Sequence, residues 1–197
     1  MNGGGTGTGK LVVISGPSGS GKTTVCNRLL SDPNIMLGVS ATTRAPRPRE
    51  KDGENYYFIS REEFLERVER GLFAEHAEYN GNLYGTPRDW LEEQLAAGRT
   101  VLLEIDLQGS AQLWEKYPNG IYIFLDAPGR ETAVKRLEGR NTETPEERRR
   151  RTETADRERE LAETAHFDYK VINDDLDETA EEIRNLIAGG KPAGPTS

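Results

Sequence analysis

The stretch LVVISGPSGSGKTTVCNRLL at 11–30 constrains the fold more than any other part of the chain. LVVIS is a short, β-branched apolar run, the pattern of a buried strand. GPSGSGKT at 16–23 follows directly, and TVCNRLL at 24–30 reads as the next helix. Strand, glycine-rich loop and helix in that order match the phosphate-binding pattern in its proper setting. Glycines let backbone N–H groups turn inward around an anion. The helix that begins near Lys22 points its positive end at the same anion. Lys22 is expected to reach the β- and γ-phosphates of a nucleoside triphosphate, and the Thr23 hydroxyl to hold Mg²⁺. A near-repeat, GGTGTGK at 4–10, has Leu11 where the hydroxyl belongs and no strand before it, so it is expected to be inert. A phosphate loop alone implies triphosphate binding and leaves the acceptor open.

Beyond the loop, short apolar runs alternate with amphipathic stretches. TVLLEID at 100–106, GIYIFLD at 120–126 and DYKVIN at 168–173 read as further strands, with helical patterns at 87–97, 108–116, 130–138, 146–163 and 176–188. That alternation predicts an α/β fold with a parallel sheet. Residues 37–86 break the rhythm with Pro-rich turns, short strands, a helix at 61–70 and an Asn-Gly turn at 80–81, which predicts a mixed β insertion with antiparallel pairing. The expected organisation is a core of 10–36, 87–129 and 160–188, an insertion of 37–86 and a helical segment of 130–159. Gly-rich disordered tails are expected at 1–9 and 189–197.

Composition excludes several classes. The net charge of -8 argues against nucleic acid as a general partner. Arginines nevertheless cluster at 44–49 and 136–151, which suits small, focused phosphate sites; for 146–151 alone, solvated helix charges are the favoured reading. With no run of about 18 apolar residues, no membrane span is expected. The start lacks the apolar core of a signal peptide, so the expected compartment is the cytoplasm. A lone cysteine, Cys26, excludes an internal disulfide and a cysteine-based zinc site. His76 and His166 lack metal-like spacing and read as structural.

In SATTRAPRPRE at 40–50, Arg44 and Arg47 flank a stiff, proline-bearing turn, a suitable clamp for a phosphate dianion, although an ordinary basic loop fits equally. Taken together, GPSGSGKTT, TTRAPRPRE, AEHAEYNGNLYGT, EIDLQG and VINDD occur in an order and spacing that resembles guanylate kinase, from about residue 11 to about 187. The resemblance implies a P-loop nucleoside monophosphate kinase: a parallel-sheet core, an inserted GMP-binding domain and a helical lid. It implies ATP and GMP as substrates with Mg²⁺. Residue by residue, ATP falls to Gly16, Pro17, Ser18, Gly19, Ser20, Gly21, Lys22, Thr23 and Thr24, with Asn173 near the adenine. Arg44, Arg47, Tyr56 and Tyr84 match positions that hold the GMP phosphate. Ser40, Glu75, Thr86 and Glu104 match positions around the guanine. Asp106, at a strand end, is expected to orient Mg²⁺ through water and to border the GMP site. Lys22, Arg136, Arg140 and Arg151 would act on the transferring phosphoryl group, the third lid arginine falling within 148–151.

The chemistry suits guanine, whose adjacent N1–H and N2–H donors one carboxylate accepts as a pair, whereas adenine would leave Glu75 unpaired. Plain structural roles remain open for the same residues: a surface acid for Glu75, a helix cap for Thr86 or Asp106, a polar turn for Asn173. Three positions depart from the family pattern. Glu104 stands where many members carry Asp, and Arg49 and Asn141 stand where Gly is usual. The alternatives are another small P-loop kinase, disfavoured by Glu75 with Ser40, and a catalytically inert interaction domain, disfavoured by the intact phosphate loop. The sequence leaves the oligomeric state open.

Overall fold

The computed structural model describes residues 9–79, 81–138 and 145–190, with side chains throughout except at 137, 138 and 145–152. The chain opens with β1 (Lys10–Ser15), α1 (Lys22–Leu29) and β2 (Ile35–Leu37). The inserted segment adds β3 (Ala41–Thr42), β4 (Tyr57–Phe58), α2 (Arg61–Glu69), β5 (Phe73–Tyr79) and β6 (Asn82–Pro87). Then follow α3 (Arg88–Ala96), β7 (Thr100–Glu104), α4 (Leu107–Lys116), β8 (Ile121–Asp126), α5 (Arg130–Glu138), α6 (Pro145–Ala162), β9 (Tyr169–Ile172) and α7 (Leu176–Ile187).

Five strands form a parallel sheet in the order β2-β7-β1-β8-β9. Its central strand is apolar on both sides because both faces are covered. Val12 and Ile14 pack with Val25, Leu29 and Ile183 of α1 and α7, while Leu11 and Val13 pack with Leu91 and Leu113 of α3 and α4. The connection from β1 leaves toward β2 on one side, and the connection from β7 crosses toward β8 on the other. The carboxyl ends of β1 and β7 therefore flank a topological switch point, where open α/β sheets bind ligands.

The second sheet is mixed, in the order β4-β3-β6-β5, with β3 parallel to β4 and the other pairs antiparallel. Its small core is Ala41, Phe64, Phe73 and Leu83, with the two phenyl rings stacked at 4.5 Å. Tyr79 pairs with Asn82, and Gly81 between them has φ 78°; Asn80 lies outside the described residues.

Several expectations need correction. No strand was expected at 35–37, yet β2 pairs with β7 there and crosses the expected boundary at 36/37. Three residues are too few to carry a period. The strand expected to reach Asp106 stops at Glu104, because Asp106 caps α4 instead. Gly9, expected in a disordered tail, donates its N–H to Leu95 O at 3.0 Å. Gly189 and Gly190, expected in the other tail, close α7. Gly189 has φ 90° and donates to Leu186 O, and Gly190 donates to Asn185 O, the paired bonds of a glycine helix stop. Residues 1–8 and 191–197 lie outside the described residues.

Candidate active site

The phosphate loop leaves β1 at Ser15 and enters α1 at Lys22. Gly16 has φ 148°, and a Cβ there would lie 2.0 Å from Leu125 O of β8, so only glycine lets the loop turn this close to the sheet. Gly21, the residue before α1, has φ 91° and makes no side-chain cap. The first N–H groups of α1 thus meet no capping side chain, which suits them to an anion. Lys22 Nζ donates to Gly16 O and, at 3.1 Å, to Pro17 O, so the ammonium sits in the mouth of the loop.

Two outer elements pin the loop's far side. Asn173, buried just after β9, donates from Nδ2 to Ser20 O at 2.8 Å. Arg136 of α5 donates to the same carbonyl at 3.4 Å and to Asp174 O at 3.4 Å.

Facing the loop, the mixed sheet presents a polar set. Glu75 on β5 is 3% exposed and pairs with Thr86 on β6, whose hydroxyl donates to Glu75 Oε1 at 2.7 Å. Ser40 Oγ lies 3.5 Å from the Thr86 hydroxyl. β5 is a sheet edge, but α4 packs over it, so Glu75 is a buried acid and not a surface one. Burial raises its pKa to about 7, against the Thr86 hydrogen bond and with some help from the charge of Asp106. Thr86, weighed as a helix cap, does not cap α3: its hydroxyl is committed to Glu75, and the residue before that helix makes no side-chain cap.

Arg44 is gripped bidentately by Glu50, with both N···O distances 2.9 Å. Glu50 also accepts the Arg47 N–H at 2.7 Å, so one carboxylate organises the turn that carries both arginines. The Arg44 guanidinium lies 5.4 Å from the Tyr56 ring centroid, and Tyr56 meets Tyr84 edge-on at 6.0 Å. Burial raises the Tyr56 phenol above its ordinary pKa, with the Glu104 carboxylate adding to it.

Between the loop and this set, Thr23 donates its hydroxyl to Glu104 Oε1 at 2.8 Å. Asp106 Oδ1 accepts the Gly109 N–H at 2.8 Å as the cap of α4, and burial raises its pKa despite that bond. Glu104 and Asp106 line the same cleft.

One cleft therefore joins Gly16, Pro17, Ser18, Gly19, Gly21, Lys22 and Thr23 to Ser40, Arg44, Arg47, Tyr56, Glu75, Tyr84, Glu104 and Asp106. Ser20, Thr24, Thr86, Asn173 and Arg136 do not line it. Thr86 and Asn173 stand behind, each holding a residue that does or a loop carbonyl. Arg140 and Asn141 lie outside the described residues, as does the side chain of Arg151.

Two polar lining residues escape the sequence reading. Glu158 of α6 accepts the Ser18 N–H at 3.3 Å, and Tyr79 of β5 shares a hydrogen bond with Ser18 Oγ at 3.1 Å. Burial raises the Glu158 pKa, and Lys22 pulls it back. A signal for Tyr79 was present, since residues 75, 77 and 79 share one face of a strand and all three line the cleft. Glu158 had none: α6 is charged along most of its length.

A family profile described as guanylate kinase matches residues 8–189. The chain belongs to the guanylate kinase family. It is 47% identical over 189 residues to a guanylate kinase of Rubrobacter xylanophilus, covering 93% of this chain and 98% of that one. To one of Prochlorococcus marinus it is 44% identical, covering 90% and 96%. Among solved structures, the crystal structure of guanylate kinase from Anaplasma phagocytophilum superposes with a TM-score of 0.77 at 38% identity, covering 93% of this chain and 87% of that one.

Within this guanylate kinase fold, the departure at Arg49 has a physical location. Glu50 N–H bonds back to Arg47 O at 3.0 Å, and Arg49 has φ 82°, the sole non-glycine residue with positive φ among those described. Arg47-Pro48-Arg49-Glu50 is thus a turn with proline second and a left-handed third residue, the position that favours glycine. Arg49→Gly is expected to raise stability by roughly 0.5–1 kcal/mol, the left-handed strain relieved less the extra chain entropy of glycine. A melting temperature raised by about 1–4 °C in calorimetry is the expected reading, and a lowered one would show that the arginine is held by contacts of its own.

Proposed function

We propose that the chain transfers the γ-phosphate of ATP to GMP, giving ADP and GDP. The observation that carries this reading is a buried carboxylate, Glu75, facing the same cleft as a complete phosphate loop with Lys22 at its mouth. Glu75 offers two acceptor oxygens to the N1–H and N2–H of guanine. Ser40 lines the cleft beside it as a hydroxyl for O6, while Thr86 holds the carboxylate from behind. Arg44, Arg47, Tyr56 and Tyr84 surround a place for the acceptor phosphate. An oxygen of that phosphate attacks the γ-phosphorus and the bond to the bridging β–γ oxygen breaks. The attacking group is already anionic at neutral pH, so no strong base is required. The residues supply position and charge neutralisation, chiefly through Lys22 and the arginines.

Mg²⁺ belongs to this reading, and the residues fit it. The cleft offers hard oxygen donors in Thr23, Glu104 and Asp106, and no group of three or more acidic, His or Cys side chains is placed to cage a metal among the described residues. Few protein oxygens are what Mg²⁺ takes when phosphates and water complete its shell. Thr23 would hold it, with Glu104 and Asp106 orienting its water, and it would supply charge neutralisation on the phosphates. Among the described residues no helix is long and apolar enough to cross a membrane.

An ADP-release assay against GMP, AMP, CMP and UMP tests the substrate. The second test is Glu75→Gln. Exchanging an acceptor oxygen for a donor is expected to reduce kcat/KM for GMP by roughly 1–3 kcal/mol, with a smaller loss for AMP. The same variant is expected to be more stable at high pH. In the folded protein Glu75 titrates at about 7 against an ordinary 4.5. Its ionised form therefore destabilises the fold, fully above pH 7 and not at all below about 4.5. At about 1.4 kcal/mol per pKa unit, Glu75→Gln would gain on the order of 3 kcal/mol at pH 8. Full preference for GMP in Glu75→Gln would remove Glu75 from base recognition.

A further inference from the structure

Gly109 sits in the first turn of α4 without a backbone reason to be glycine. Its φ is not in the left-handed region, and its N–H makes an ordinary cap bond to Asp106 Oδ1 at 2.8 Å. Alanine is the better residue in a helix by about 1 kcal/mol. What the glycine leaves is space, and one side chain fills it. A Cβ at this position would lie 2.5 Å from Glu75 Oε2 and 3.2 Å from Glu75 Cδ, with Asp106 Oδ1 at 3.4 Å. Glu75 cannot swing toward solvent at little cost, because it is 3% exposed and its other oxygen holds the Thr86 hydroxyl at 2.7 Å.

We propose that Gly109 is a positioning residue for base selection: the room left by its missing side chain is where the Glu75 carboxylate stands when it reads the base. The inference rests on the reading of Glu75 given above. The contact has one rigid side, the helix backbone, and one soft side, the end of a glutamate. A side chain at 109 would therefore move the carboxylate and leave the helix in place. Restoring an ordinary contact needs a displacement of roughly 1 Å, and misplacement on that scale can lower a rate about 100-fold. Both carboxylate oxygens are needed to accept two adjacent N–H groups, so a tilt removes selectivity along with affinity.

The test is Gly109→Ala. Expected are a melting temperature at or near that of the wild type and an unchanged KM for ATP. KM for GMP should rise about 10–100-fold, narrowing the preference over AMP. If Gly109 serves only the packing of α4 on the sheet, the variant instead melts earlier and loses ATP and GMP use together, which overturns the proposal. Two further variants locate the effect. In a Glu75→Ala background, Gly109→Ala should cost nothing more. Combined with Glu75→Asp, whose carboxylate is one methylene shorter, part of the lost GMP use should return. An equal loss with and without the Glu75 carboxylate would overturn the proposal. A direct readout separates it from the base-reading assignment: the ¹³C resonance of the Glu75 carboxyl group in the ligand-free protein should shift in Gly109→Ala. An unshifted resonance refutes the contact itself, whatever the substrate. A shifted resonance with an unchanged KM for GMP confirms the contact and refutes its role in base selection.

Discussion

Lys22→Ala is expected to lower kcat by about 10²–10³-fold or more while the protein remains folded, the scale of losing one preorganised charge from a transferring group. The lysine is the first residue of α1 and donates to the carbonyls of Gly16 and Pro17, so its ammonium lies where the loop closes on an anion. It faces acids on several sides: Asp106, Glu158 and, farther along α1, the buried Cys26 all feel its charge. Its loss would leave Asp106 and Glu158 as uncompensated negative charge where phosphates must bind, so binding of ATP should weaken along with turnover. The loop has supports besides the lysine. Gly16 and Gly21 hold their conformations through positive φ, and Asn173 pins Ser20 O from behind. The melting temperature should therefore move little. Turnover near wild type, measured by ADP release with folding verified by circular dichroism, would remove Lys22 from catalysis.

What could be read from the sequence follows from how far apart the cooperating residues lie. The phosphate loop is contiguous, and its strand and helix declare themselves by a buried apolar run and a glycine stop, so β1, the loop and α1 were all legible. The core strands β7 and β8 were legible for the same reason: burial on both faces leaves no polar interruption. β2 was not, because a strand of three residues carries no period and owes its existence to the partner it pairs with. Glu75 was marked as a base reader by resemblance, but its burial depends on α4, thirty residues on, and could not be read from β5. Thr86 showed a hydroxyl next to a proline, a pattern that fits a cap; the cross-strand register that hands it to Glu75 is a tertiary fact. Glu158 is the clearest case of an illegible residue. Only the fold brings that one acid of a highly charged helix to the Ser18 N–H.

The largest effect is expected at the lid arginines. Arg136→Ala and Arg140→Ala should each lower kcat by roughly 10³–10⁵-fold, the range for an arginine that stabilises a transferring phosphoryl group. Arg136 reaches two backbone carbonyls, Ser20 O and Asp174 O, each at 3.4 Å. These are long bonds to neutral acceptors. A phosphate oxygen accepts from a guanidinium far more strongly, so Arg136 is poised at the phosphate loop with partners it can exchange. The base of α6 is tied down separately. Arg159 bonds both oxygens of Asp126 at 2.8 and 3.0 Å, and Arg130 at the start of α5 pairs with Asp156 at 2.9 Å. Arg136 takes no part in that network, so its removal should leave both helices in place. Arg140 lies outside the described residues, and its role rests on the family resemblance. The competing account makes both arginines solvated surface charges, for which alanine costs about 0–1 kcal/mol of stability and little activity. Measuring kcat and melting temperature for each variant separates the accounts by orders of magnitude. A kcat collapse with unchanged melting assigns them to the phosphoryl group. Unchanged kcat in both would leave charge neutralisation to Lys22 and Mg²⁺ and would also remove the ground for a third arginine near Arg151.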